Sequence, residues 1–271
     1  MTAVDTTSRP AETSGLPTLR GTTAPPLGRL VGVELRKLRD TRAGAWLLVT
    51  IAAVVVAMIA AGTAWGVNSS ASLGSFVSVQ AMPMQLLLPM VAVLGITGEW
   101  SQRGALTTFA LVPRRGRVVA AKALAVLLVT LAATALSVAV AAVGVLVGGA
   151  VHDVPVAWDL TADQAARALL INVLSVAVGF ALGVLIRSSA PALVAYLGFV
   201  LVLPMLSGIA ASYLAWWAQH GAWLDLSTTL QMLAAPQVTG ETWAQLGTST
   251  LLWVGVPLAV GLRGLLRTEI R

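Results

Sequence analysis

A chain of 271 residues that is 57% hydrophobic and only 10% charged, with a mean hydropathy of +0.86, does not suit a soluble globule. Water-facing surface needs far more charge than this, so lipid must cover the outside and the chain reads as an integral membrane protein. The absence of cysteine excludes disulfide, haem-attachment and thiolate-metal frameworks, and two histidines do not build a His-rich metal site. The net charge of +6 needs no nucleic acid to explain it, because basic residues are retained on the cytoplasmic side of membrane proteins.

Residues 1–26 are rich in Thr, Ser, Pro and Ala and lack the apolar core of a signal peptide. They read as a disordered cytoplasmic tail ahead of a single membrane domain over residues 27–271. At the start of that domain Leu27, Leu30, Val31, Leu35 and Leu38 recur at helical spacing, with Arg29, Arg36, Lys37, Arg39 and Asp40 mostly opposite. The pattern predicts a basic amphipathic helix in the headgroup plane, each cation gaining about 1 kcal/mol near anionic lipid. Glu34 borders the apolar stripe within reach of Lys37 and Arg39. A plain stop-transfer flank is the other reading of these residues.

Six apolar segments follow, over residues 44–67, 76–97, 118–151, 165–186, 190–211 and 248–266. Each meets the requirement of about 20 apolar residues for a helical span, which predicts an all-α bundle. Pro83 and Pro89 interrupt the second, Pro204 the fifth and Pro257 the sixth. Prolines are tolerated there where neighbouring groups satisfy the freed carbonyls. The third segment would reach roughly 50 Å against a hydrocarbon core of about 30 Å, so it begins inside the cytoplasm or tilts.

With the tail inside, the inner loops receive Arg103, Arg114, Arg115, Arg117, Lys122, Arg187, Arg263, Arg267 and Arg271. The outer loops receive Asp153, Asp159, Asp163, Asp225 and Glu241, with Arg167 the one outer cation. That asymmetry predicts both termini in the cytoplasm. Residues 212–247 form an outer loop carrying Trp216, Trp217, Trp223 and Trp243. One or two short helices with an aromatic face are expected, lying on or re-entering the outer leaflet, and Asp225 argues against further spans.

The spans hold no charge at mid-membrane, which disfavours an ion-coupled transporter and places the energy source elsewhere. Their polar groups are few: Gln80 and Gln85 on the second, Asn172 and Ser175 on the fourth. Met82, Met84 and Met90 add pliable thioethers. Together with Phe180 these residues suggest a cavity for a hydrophobic or amphiphilic substrate, with ordinary helix packing as the competing reading. Gly62 with Gly66, Gly144 with Gly148 and Gly179 with Gly183 permit close helix contact. Six helices are few for an enclosed pathway, which favours a dimer.

Catalytic constellations are missing. There is no G-x-x-x-x-G-K-[ST] loop and no H-E-x-x-H helix, and Ser207 has no neighbouring base. The expectation is a chain with no catalytic residues, no metal and no cofactor of its own.

Residues 98–117, GEWSQRGALTTFALVPRRGR, form a polar, basic island between the second and third segments. Glu99 and Trp100 open it, and Pro113 stops it ahead of Arg114, Arg115 and Arg117. The stretch reads as a cytoplasmic helical loop through which another protein moves the membrane part.

Several features recur here in a characteristic order. They are VELRKLRDTRAG at 33–44, Gly98 and Glu99 closing the second segment, a short helix over 104–111, the turn at 113–115, and Lys122 opening the third segment. From residue 27 onward the chain resembles the membrane subunits of type-2 ABC exporters. The resemblance implies a half-transporter in a bacterial cell membrane, paired with a second copy or a close relative. A separate ATP-binding subunit would hold ATP and magnesium and dock on Gln102, Arg103, Thr107, Thr108 and Phe109. Arg114 and Arg115 would meet its acidic surface or lipid phosphates. Drug, lipid, antibiotic and peptide all suit such a pathway. A non-transporting membrane receptor or assembly scaffold is the other class that the sequence leaves open.

Overall fold

The computed structural model describes residues 26–65, 70–101 and 115–267. Among these, six helices are long and apolar enough to cross a membrane: Arg42–Trp65, Leu73–Gly98, Gly116–His152, Ala162–Ile186, Ser189–Tyr213 and Gly240–Gly264. The chain is a multi-pass, all-α membrane protein, and these helices are the first to sixth spans below. An N-terminal helix, Leu27–Asp40, precedes them. It lies at the end of the bundle that also carries the last described residues, here the near end. The opposite, far end carries a parallel pair of two-residue strands, β1 (Ala71–Ser72) and β2 (Val156–Ala157).

Most span boundaries fall close to the apolar segments. The sixth departs most, beginning at Gly240 and not at 248. Thr239 caps it by accepting from the Thr242 N–H. Its early polar residues, Gln245 and Ser249, turn inward and are buried against protein, so they do not interrupt the helix. The third span belongs to one helix of 38 residues, Arg115–His152. At 1.5 Å per residue that is about 57 Å, well beyond the hydrocarbon thickness. Its far end reaches the first span, where His152 Nε2 lies 2.6 Å from the Thr63 carbonyl.

The second span is the spine of the fold. In the near half its Met84, Leu88, Val91 and Ile96 pack with Leu38, Val55, Val126, Val176 and Val184 in one apolar cluster. The fourth span presses closely against it. A Cβ added at Gly179 would sit 2.7 Å from the Pro89 carbonyl oxygen, and one at Gly183 would sit 2.3 Å from Ile96 Cγ2. At Gly144 the obstacle is Ile59 Cγ2, also at 2.3 Å. Gly62 is roomier, its Cβ meeting the Phe76 ring at an ordinary 3.4 Å. Gly66 lies outside the described residues.

Three of the interrupting prolines are accommodated in identifiable ways. Pro89 has no N–H to offer the Gln85 carbonyl four residues back, and the Tyr196 hydroxyl donates to that carbonyl instead. Pro204 and Pro257 each follow a π-helical turn, Gly198–Val202 and Leu251–Gly255. These two turns meet through Phe199 and Trp253, whose ring centroids are 5.0 Å apart.

Between the fifth and sixth spans lie two short helices, Ala215–His220 and Leu226–Leu233. Asp225 caps the second of them, accepting from the Ser227 N–H at 2.9 Å and from the hydroxyls of Ser227 and Thr228. Leu226, Leu230 and Leu233 are buried against Ile171, Val178, Tyr196 and Phe199. The connection therefore seats an apolar leucine face on the bundle, while Trp216 remains exposed.

Candidate functional site

Two places in the bundle concentrate polar chemistry. The first is at the near end. Leu38 on the N-terminal helix lodges against Gly95 of the second span, where an added Cβ would meet Leu38 Cδ2 at 3.1 Å. This seats Glu34, one turn earlier, beside the third span. Its Oε2 accepts from Lys122 Nζ at 2.7 Å, and its Oε1 accepts from Lys37 Nζ at 2.9 Å. Lys122 Nζ also donates to the Gly95 carbonyl at 3.1 Å. The side chains of Lys122 and Glu34 are only 5% and 10% exposed, so the contact is desolvated, whereas Lys37 is 43% exposed. One ammonium thus ties the N-terminal helix, the end of the second span and the start of the third.

The sequence counts Lys122 among the inner cations at the start of the third span and sets Glu34 beside Lys37 or Arg39. The structure shows the Lys37 contact and adds Lys122, buried in the third span, as a second partner of Glu34. Arg36 and Arg39 lie on the exposed side of the N-terminal helix. Gln102, Arg103, Thr107, Thr108, Phe109 and Arg114 lie outside the described residues. For Glu99 and Arg115 only the helical backbone is described.

The second place is a cavity of about 390 Å³ between the second, third and fourth spans, opening toward the far end. Its rim is formed by Ser72, Ser75, Asp159 and Gln164, and it descends to Gln80, Met84 and Gln85. From Ser72 to Gln85 the helix rises about 20 Å, so the floor lies deep within the apolar belt. Thr134 and Ser137 supply the third-span wall, and Arg167 and Asn172 the fourth-span wall. This is roomy enough for a ligand the size of a small drug. A second groove of about 380 Å³, between the first and third spans, is lined by Leu48, Ile51, Val55, Val129 and Leu136 and is almost wholly apolar.

Of the cavity residues expected from sequence, Gln80, Met84, Gln85 and Asn172 line the far-end cavity. Met82 points outward and is 70% exposed. Phe180 belongs to the near-half apolar cluster, and Met90 is half-buried away from the cavity. Sequence reading missed Thr134, Ser137, Ser75, Ser78, Asp159 and Arg167. The signal for part of this was present: Ser75, Ser78 and Gln85 recur at intervals that keep one face of a helix.

The charged residues at the rim are already committed. Asp159 accepts from Ser72 Oγ at 2.6 Å and from the Gly74 N–H at 2.9 Å, capping the start of the second span. The Gly74 N–H, then the Ser72 hydroxyl, hold its carboxyl below the ordinary value of 3.8. Arg167 donates to Asp163 at 3.0 Å, to the Leu233 carbonyl at 2.9 Å and to the Ala235 carbonyl at 2.5 Å. It thereby clamps the helix Leu226–Leu233 to the fourth span.

Among the described residues, no group of three or more His, Asp or Glu side chains is placed to hold a metal ion. Ser207 accepts from the Trp217 indole N–H at 2.9 Å, and an indole donor cannot act as its base. No protein-family model matches the chain, and none of the curated proteins compared with it matches.

Proposed function

We propose that the chain is the membrane-spanning subunit of an ATP-driven exporter of the type-2 ABC class. In this reading it forms the pathway for a hydrophobic or amphiphilic substrate and carries out no chemistry itself. ATP and magnesium are bound by a separate subunit that docks on residues 102–109, between the second and third spans, and the near end is taken as cytoplasmic. A second copy of the chain completes the pathway. The outward direction comes from the resemblance noted above.

The contact of Lys122 with Glu34 and the Gly95 carbonyl carries the proposal. The docking segment joins the second span to the third, and this contact locks those two spans to each other and to the N-terminal helix. A push on the segment is then passed to a braced unit and does not dissipate in a loose loop. The same second span forms one wall of the far-end cavity. The sorting of charge supports the orientation: Arg36, Arg39, Lys122, Arg187 and Arg263 lie at the near end, and Asp153, Asp159, Asp163, Asp225 and Glu241 at the far end.

The test places a photoreactive amino acid at position 107 of the full chain in its native membrane. Capture of a P-loop ATPase, lost in the Arg103→Glu variant, is the expected result. Capture of proteins without nucleotide-binding motifs, or labelling only from the outer side, overturns the proposal.

A further inference from the structure

We propose that the far-end cavity binds the head of an uncharged, hydroxyl-bearing amphiphile, of the alkyl glycoside type, through the amide oxygen of Gln80. The inference deepens the transport reading above and rests on it for the role of the cavity.

Charge comes first. The ionisable groups lining the cavity are Asp159 and Arg167, one of each sign. Asp159 is held by Ser72 and Gly74, and Arg167 by Asp163 and two backbone carbonyls. Nothing below them along the second span bears a charge, so an ion reaching the floor would lose its water without gaining a counter-ion. The site therefore selects against net charge.

Gln80 then fixes the sense of the hydrogen bond. Its Nε2 donates to the carbonyls of Phe76 and Ser137, each at 3.2 Å. Turning the amide over would set Oε1 against two carbonyl oxygens, so the orientation is determined by its surroundings. Oε1 is left as a buried acceptor with no partner, on a residue that is 1% exposed and lines the cavity. Buried acceptors are normally satisfied, and an O–H donor on a ligand supplies what this one lacks. Gln85, Asn172 and the Thr134 hydroxyl add neutral polar groups to the lining. Asn172 Nδ2 donates to Thr134 Oγ1 at 3.1 Å, which joins the third- and fourth-span walls. A hydroxyl-rich head suits this lining, and its alkyl chain suits the Met84 and Ile171 side chains beside it.

The experiment uses the full chain in nanodiscs and three probes of equal chain length: octyl glucoside, octyl sulfate and octyltrimethylammonium, each below its critical micelle concentration. Calorimetric titration should show saturable binding of the glucoside alone, above the partitioning seen with empty discs. Gln80→Met should weaken it about tenfold, the loss of one buried neutral hydrogen bond. Ser78→Trp, at an exposed position near the mouth, should abolish it without disturbing the interior. Glucoside binding that survives both substitutions, or equal saturable binding of either ionic probe, overturns the proposal. The readout needs no ATPase, so it separates from the exporter reading. Failure to capture an ATPase at position 107, with saturable glucoside binding present, would sink that reading and leave this one standing.

Discussion

Removing either member of the Glu34–Lys122 contact should destabilise the bundle far more than removing Lys37, although Glu34 touches both lysines at nearly the same distance. The perturbations are Glu34→Gln, Lys122→Met, the two combined, and Lys37→Met as the control. Glutamine and methionine have helix propensities close to those of the residues they replace, so the helices themselves are spared. The magnitudes follow from exposure. Lys122 and Glu34 meet at 2.7 Å with side chains 5% and 10% exposed. Breaking such a desolvated pair typically costs about 3 to 5 kcal/mol. Lys37 meets Glu34 at 2.9 Å but is 43% exposed, and pairs of that kind contribute about 0.2 to 1 kcal/mol. The double variant removes both buried charges together and should lose much less than the sum of the singles. The assay is reversible denaturation in mixed micelles, followed by the fluorescence of the chain's nine tryptophans. A coupling energy below about 0.5 kcal/mol in the double-mutant cycle would refute the reasoning. So would a Lys37→Met variant as unstable as Lys122→Met.

Tyr196→Phe should cost about 1 kcal/mol, because the Gln85 carbonyl freed by Pro89 loses its donor, and the loss should shrink in a Pro89→Ala background where the helix supplies an N–H again. The same denaturation assay reads both, and equal losses in the two backgrounds would disprove the pairing. Gly183→Leu should prevent the second and fourth spans from closing, since even a Cβ there lies 2.3 Å from Ile96 Cγ2. Gly208→Leu, where nothing lies within 4 Å of an added Cβ, should be tolerated, as judged by monodispersity after extraction. The folded carboxyl of Asp159 titrates below its ordinary 3.8, so its stabilising contact is fully present above pH 3.8 and is lost as pH falls through the lowered folded value. Hydrogen exchange at Gly74 and Ser75 should therefore accelerate only in that acid range, and Asp159→Asn should abolish the acid dependence.

The spans were legible because twenty or so apolar residues in a row have few other fates. Boundaries were less so where polar residues face protein and not lipid. The sixth span begins at Gly240 because Gln245 and Ser249 bury against neighbouring helices, which a hydropathy average counts as interruption. Gln80 and Asn172 could be picked out as isolated polar residues in apolar runs. Thr134 and Ser137 could not, since a small hydroxyl in an alanine-rich helix usually bonds its own backbone, as Thr130 does with the Val126 carbonyl. The pairing of Lys122 escaped for another reason. Glu34 lies 88 positions away in the chain, and no local pattern announces a long-range ion pair.

The second span links the two polar places, and its two prolines divide it. Below Pro89 the helix is wedged against the fourth span at Gly179 and Gly183, and Lys122 holds its Gly95 carbonyl. With that little slack, the near half of this span can move only together with the N-terminal helix and the third and fourth spans. Above Pro83 the same helix carries Ser75, Ser78 and Gln80 on the cavity wall, with its first turn capped by Asp159. Pro83 removes a ladder hydrogen bond between the cavity rim and the floor at Gln85, and Pro89 removes another just beneath that floor. A displacement of the near-end block therefore concentrates its bending between these two positions. Floor and rim would shift relative to each other there, which is what opening or closing a site at Gln80 requires.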